Sequence, residues 1–182
     1  KTKLNQLFVD DLFKATLKTE LEAIRVNRTV TLDFKVTKGI AYQRAVFGDS
    51  AFPNLDQVLS EGEHRAVAIA CFLAEAKMLG EHQPLVIDDP VSSLDHERRL
   101  RVTRRLVAEA KKRQVVIFTH DMVFWAEVER ETQEAQVPLL VKDVRTEGGV
   151  CGKVGEGDTP WINLSVPLKL KYLEEKLLTD LQ

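Results

Sequence analysis

The sequence holds no apolar run near the ~20 residues that cross a bilayer as a helix, and its start, Lys1-Thr2-Lys3-Leu4, lacks a secretory leader's apolar core. No membrane-spanning helix is expected. Cysteine is scarce, with only Cys71 and Cys151, so neither a disulfide framework nor a Cys-rich zinc site is indicated. A reducing, cytoplasmic compartment fits that usage. A surplus of one charge is lacking too: 26 basic residues stand against 28 acidic ones, so any attraction to nucleic acid must be local. Internal repeats and low-complexity linkers are absent. What is present is 44% apolar and 30% charged over 182 residues, the balance of one soluble globular domain with its own core. The chain opens without Met and inside a helical pattern, from which an upstream extension is expected.

Val9, Phe13, Leu17, Leu21 and Ile24 recur at spacings of three and four, predicting an amphipathic helix over the first ~25 residues. Residues 29–37 alternate, with Val30, Leu32, Phe34 and Val36 on one face, as in a half-buried strand ended by Gly39. A second, weaker strand over 41–47 leads to a loop with Gly48, Asp49, Ser50 and Pro53. Residues 63–78 are apolar nearly all round, predicting a helix buried on most sides. Leu85-Val86-Ile87 and Val115-Val116-Ile117-Phe118 are short apolar runs separated by a basic helix over 96–113, a βαβ unit with parallel strands covered on both faces. Residues 139–145 and 150–154 flank Gly148-Gly149 as an edge hairpin, and a last helix follows Pro167. The expected class is α/β: parallel strands flanked by helices, plus the hairpin.

Open parallel sheets place ligands at the carboxyl ends of their strands, which directs attention to Asp88-Asp89 and Thr119-His120-Asp121. Adjacent carboxylates after a buried strand suit a Mg²⁺-nucleotide site, one holding the ion and one polarising the attacking water. A strand that simply ends in turn residues accounts for the pair equally well. Ser60-Glu61-Gly62-Glu63 precedes the buried helix, where a Ser hydroxyl, a residue without a side chain and a helix N-terminus suit a phosphate. Ser60 and Glu63 also match the capping box Ser-x-x-Glu, which explains both without a ligand; the two readings are compatible.

The order of these motifs resembles that of ABC-type ATPase heads. Leu59-Ser60-Glu61-Gly62-Glu63 is similar to the ABC signature, Leu85-Val86-Ile87-Asp88-Asp89-Pro90 to Walker B, Ser92-Ser93-Leu94-Asp95 to the D-loop, and Ile117-Phe118-Thr119-His120-Asp121 to the H-loop. Each motif is weak alone, and the ordered set over residues 59–121 is specific. Within the superfamily, Asp88-Asp89-Pro90-Val91-Ser92-Ser93-Leu94-Asp95 resembles the PrrC/RloC-type group, which is associated with phage defence and anticodon nucleases; the hairpin followed by Pro160-Trp161 is compatible with it. The resemblance implies that Asp88 helps hold Mg²⁺, that Asp89 serves as general base, and that His120 contacts the γ-phosphate of ATP and the attacking water. It implies further that Ser60, Gly62 and Glu63 bind nucleotide in trans, and that Ser93 and Asp95 couple two sites across a dimer. One departure stands out: most ABC ATPases carry Glu where this sequence has Asp89, so the shorter carboxylate must approach through backbone position or act through another water, with slow turnover.

A phosphate-binding Walker A loop, Gly-x-x-x-x-Gly-Lys-Ser/Thr, is missing. Residues 148–154 come nearest but have Glu147 in place of the first Gly and Val154 in place of Ser or Thr, as befits a hairpin turn. In SMC-like ATPases an insertion separates the Walker A lobe from a P-loop NTPase-like C-terminal lobe. On that resemblance residues 1–182 form one C-terminal lobe, with 1–27 a helix returning from a coiled coil or other insertion. The implied partners are a Walker A-bearing N-terminal lobe, in the same chain or a separate one, and a second head in a homodimer or higher oligomer. The implied activity is ATP hydrolysis driving or gating an attached effector or nucleic-acid transaction, with this lobe inactive alone. The alternative is an ATP-gated dimerisation module with little hydrolysis. Arg98, Arg99, Arg101, Arg104, Arg105, Lys111, Lys112 and Arg113 suit a solvated face, with DNA or RNA contact the rival reading. Phe124 and Trp125 read as core or lobe-interface residues instead of a base-stacking platform.

Overall fold

The computed structural model describes residues 2–26, 30–37, 40–47, 59–80, 83–157, 166–167 and 169–171. Two compact units divide the chain, residues 1–120 and 121–182.

In the first unit, α1 (Thr2–Ala23) packs against α2 (Glu61–Met78). The apolar stripe of α1 is realised, with Phe13, Leu17, Leu21 and Ile24 all buried. The helix ends where Arg25 turns to φ 58°, and Val26 N–H donates to the Leu21 carbonyl at 2.9 Å, a Schellman-type closure. β1 (Val30–Thr37) and β2 (Ile40–Phe47) form an antiparallel pair, Val30 opposite Phe47 and Thr37 opposite Ile40. Thr29, Gly39 and the loop with Gly48, Asp49, Ser50 and Pro53 lie outside the described residues.

α2 buries Ala66, Val67, Ile69, Ala70, Leu73, Ala74 and Ala76, as its nearly continuous apolar surface predicts. β3 (Leu85–Asp88) and β4 (Val115–Phe118) pair in parallel, Leu85 opposite Val115 and Asp88 opposite Phe118, with α3 (His96–Ala110) as the crossover. The parallel pairing matches the expectation, but cover on both faces does not. Val86 is 58% and Phe118 51% exposed. The face of β3 that carries Val86 and Asp88 is therefore open, where helices on both faces of a parallel sheet would have covered it.

The second unit contains α4 (Met122–Glu134) and an antiparallel hairpin, β5 (Lys142–Glu147) with β6 (Val150–Glu156). Gly148 and Gly149 turn the hairpin at φ 58° and 79°, conformations glycine reaches without a Cβ clash. Phe124 is fully buried and Trp125 half-buried, which suits packing better than base stacking. Residues 166–167 and 169–171 are helical; the rest of the expected last helix, and Pro160-Trp161, fall outside the described residues. No described helix is long and apolar enough to cross a membrane.

The basic face expected on α3 is in part an internal ionic network. Arg105 binds Glu20 of α1 through Nε and Nη2, at 2.6 and 2.9 Å, and reaches Glu109 at 2.5 Å. Lys77 of α2 also meets Glu20, at 2.5 Å, and buried Arg113 meets Glu109 at 3.0 Å. Arg113 donates in addition to the carbonyls of Ala76 and Gly80, where α2 ends. Arg101 pairs with Glu97, so several of the cations counted as a possible nucleic-acid surface are already engaged.

Candidate active site

Two clusters form around the start of α2. The first is at the carboxyl ends of β3 and β4, which the parallel register brings to one side. Asp88 is the last residue of β3 and is exposed. Asp89 continues the ladder, its N–H donating to the Phe118 carbonyl at 2.8 Å, and then turns left-handed at φ 44°. That conformation is uncommon outside glycine, though Asp tolerates it better than most. The turn carries the chain into buried Pro90 and Val91. The Asp89 carboxylate meets two groups from the end of β4: Thr119 Oγ1 donates to Oδ1 at 3.1 Å, and His120 Nδ1 lies 3.4 Å from Oδ2. The imidazole is 88% exposed and the Asp89 side chain 24%, so one faces solvent and the other is sheltered.

The second cluster joins the signature segment to the D-loop. Ser60 caps α2 with the full reciprocal box: its Oγ accepts from Glu63 N–H at 3.3 Å, and Glu63 Oε2 accepts from Ser60 N–H at 3.0 Å. Glu61 accepts from the Ser93 hydroxyl at 2.6 Å. Gly62 is buried directly against the D-loop backbone, where a Cβ would stand 2.4 Å from the Ser93 carbonyl oxygen. Ser93 itself turns at φ 64°. Asp95 caps α3, accepting from Arg98 N–H at 2.9 Å, and the Arg98 guanidinium spans Asp95 at 3.2 Å and Glu63 at 3.7 Å. One turn further along α2, Arg65 donates to the Asp89 carbonyl at 3.2 Å and links the two clusters.

All eight residues singled out in the sequence therefore lie in two adjoining clusters, tied together by Glu61, Arg65, Arg98 and Thr119. The sequence reading takes Glu61 with the signature segment, Thr119 with the H-loop and Arg98 with the basic helix, but gives none of them, nor Arg65, a role at the site. For Thr119 the available signal was its position one before His120 at a strand end. Arg65 and Arg98 carried none, because a helical arginine has many surface roles.

The family model described as an AAA domain matches residues 16–144, most of the chain and every residue of both clusters. The chain belongs to this AAA-domain family. It is thereby an ATPase-type domain. Among curated proteins no sequence matches it. Solved structures of SMC heads share its fold at low identity. An SMC ATPase studied for ATP-driven dimerisation and DNA-stimulated activation superposes with a TM-score of 0.59 at 18% identity, covering 95% of this chain and 96% of that one. An SMC head bound to the C-terminal winged-helix domain of ScpA gives 0.60 at 16%, covering 91% and 46%. The SMC head with coiled coil and joint from Pyrococcus yayanosii gives 0.55 at 16%, covering 91% and 29%. This AAA domain thus spans nearly all of the first relative's chain and under half of the other two. Identities this low carry the fold alone.

The donor set fits a magnesium ion brought by nucleotide. Mg²⁺ usually takes one or two carboxylates and completes its shell with phosphate oxygens and water. An exposed Asp88 at a strand end offers one such ligand, and the described residues contain no group of three His, Cys, Asp or Glu that would form an all-protein cage.

Proposed function

We propose that residues 1–182 are the C-terminal lobe of an SMC-like ATPase head that closes on a second head around Mg²⁺-ATP and drives or gates an attached effector. The observation that carries this reading is the Asp89 carboxylate held between Thr119 and His120, at the carboxyl ends of two parallel strands. A carboxylate there is placed to accept a proton from an attacking water, and the exposed imidazole to contact the transferred phosphate. Bound Mg²⁺ would be held by Asp88 and would neutralise charge on the phosphate oxygens. A Walker A-bearing lobe completes the site, and Ser60, Gly62 and Glu63 serve the nucleotide of the opposing head. The motif run over 88–95 supports placement in the PrrC/RloC-type group, with a phage-defence effector.

Ser93 and Asp95 couple the two sites. Their bonds to Glu61 and Arg98 give a physical basis, since the D-loop cannot shift without disturbing the start of α2. The shorter Asp89 favours one second reading, an ATP-gated dimerisation module with little hydrolysis. Single-turnover hydrolysis by assembled heads separates the two, as cleavage of bound ATP excludes the pure gate.

The test of the main reading is ATP binding and turnover by this lobe joined to its Walker A-bearing partner, comparing wild type with Ser60→Arg. Lost turnover with ATP binding retained supports action in trans; unchanged turnover leaves Ser60 as a helix cap only.

A further inference from the structure

Aspartate at position 89 raises a geometric problem. With a single carbon between Cα and the carboxyl group, the side chain cannot reach far on its own, so its direction is set by the backbone. The structure holds that backbone in an unusual state, φ 44°, which a non-glycine residue keeps only where its surroundings over-determine it. Besides the His120 imidazole at Oδ2, three hydrogen bonds hold the residue. Its N–H is fixed to the Phe118 carbonyl at 2.8 Å, its own carbonyl accepts from Arg65 at 3.2 Å, and its Oδ1 accepts from Thr119 at 3.1 Å. The first is an extension of the strand ladder and any residue type would make it. The other two come from side chains with no part in the strand pairing.

We propose that Arg65 and Thr119 are positioning residues for Asp89: the guanidinium holds its main-chain carbonyl in the left-handed turn, and the hydroxyl holds Oδ1, so that Oδ2 is turned toward His120. The inference rests on the reading of Asp89 as general base. The carboxyl torsion of an aspartate is broad and roughly two-fold, so an unanchored carboxylate spreads over orientations of which few serve a given proton transfer. Anchoring one oxygen selects among them, and misplacement by about 1 Å costs on the order of a hundred-fold in rate. Arg65 lies on α2, one turn beyond the signature segment, so the same bond ties the orientation of Asp89 to the placement of the helix that serves the opposing site.

The experiment uses full-length protein with its Walker A-bearing lobe and measures steady-state ATP hydrolysis for wild type, Thr119→Val, Thr119→Ser, Arg65→Gln and Asp89→Asn, with melting temperatures for each. Thr119→Val should lower kcat about ten-fold with KM for ATP within two-fold of wild type, and Thr119→Ser, which keeps the hydroxyl, should recover kcat to within two-fold. Arg65→Gln should lower kcat in the same way. Thr119 is exposed, so its Val variant folds and keeps the test valid even where the Arg65 variant does not. A Thr119→Val enzyme with wild-type kcat, beside an inactive Asp89→Asn, overturns the positioning role and leaves the general base in place. An active Asp89→Asn overturns the general-base reading itself.

Discussion

A Cβ atom on Gly62 would stand 2.4 Å from the carbonyl oxygen of Ser93, closer than folded proteins tolerate. Glycine at this position is therefore required by packing between the first turn of α2 and the D-loop, before any nucleotide is considered. In an ordinary helix Gly→Ala is stabilising by up to ~1 kcal/mol. Here the obstructing atom is backbone, and overpacking of that kind costs ~1–3 kcal/mol. Gly62→Ala should lower the melting temperature by ~2–12 °C, taking that cost at ~2–4 °C per kcal/mol for a chain of this size. A melting temperature equal to or above wild type in calorimetry would show that the D-loop yields freely.

Ser60 has two roles to separate, because its hydroxyl caps α2 and is also the group proposed to meet a phosphate. Asn caps as well as Ser does but is bulkier and carries an amide where the small hydroxyl stood. Ser60→Ala should cost about 1 kcal/mol in denaturant unfolding, whereas Ser60→Asn should stay within about 0.5 kcal/mol of wild type. Turnover by the assembled ATPase should fall in both. If Ser60→Asn retains full turnover, the cap is the whole of its contribution.

These two clusters also show where sequence reasoning reached and where it stopped. Strand ends and helix starts are local, and the residues at them, Asp88, Asp89, His120 and Ser60, could be picked out from the runs of apolar residues beside them. The parallel pairing of β3 with β4 followed from the intervening helix. What could not be read was how the segments are fastened. The bonds of Arg65 to the Asp89 carbonyl and of Ser93 to Glu61 span 24 and 32 positions, and no periodicity marks them. Left-handed backbone at Asp89 and Ser93 was likewise hidden, since neither is glycine. The basic run on α3 is a partly solvated face, but composition could not show that Arg105 turns inward, for its partner lies 85 positions away on α1.

The cysteines should differ sharply in reactivity. Cys71 sits on α2, where burial, with a smaller contribution from Glu75, pushes its thiol up to about 11. At pH 7.5 only roughly a few parts in ten thousand of such a thiol is ionised, and the thiolate is the reactive form. Cys151 is exposed on the hairpin. Brief maleimide labelling followed by mass spectrometry should find Cys151 modified and Cys71 at least about a hundred-fold slower, until denaturant equalises them. Comparable native rates would mean that α2 opens readily.

The Glu20 network supplies a pH dependence whose sign is fixed. Glu20 is 1% exposed; burial alone would raise its carboxyl, but the hydrogen bonds and charges of Arg105 and Lys77 outweigh that and hold it below the ordinary range. A carboxylate depressed in the folded state contributes stability that is fully present above its unfolded value, about 4.3, and is lost as pH falls through the lower folded value. Stability should therefore hold from neutral pH to about 5 and decline below it. Glu20→Gln removes the charge, leaves Arg105 dependent on Glu109 alone, and should cost about 3 kcal/mol at pH 7, near the range for breaking a buried pair. It should also flatten the decline below about pH 5, because the carboxylate whose protonation contributes to it is gone. Urea unfolding of both proteins across that decline decides the matter. If the variant loses stability at neutral pH but keeps the full acid dependence, the linkage belongs to other carboxylates, and Glu20 joins α1 to α3 without setting their response to acid.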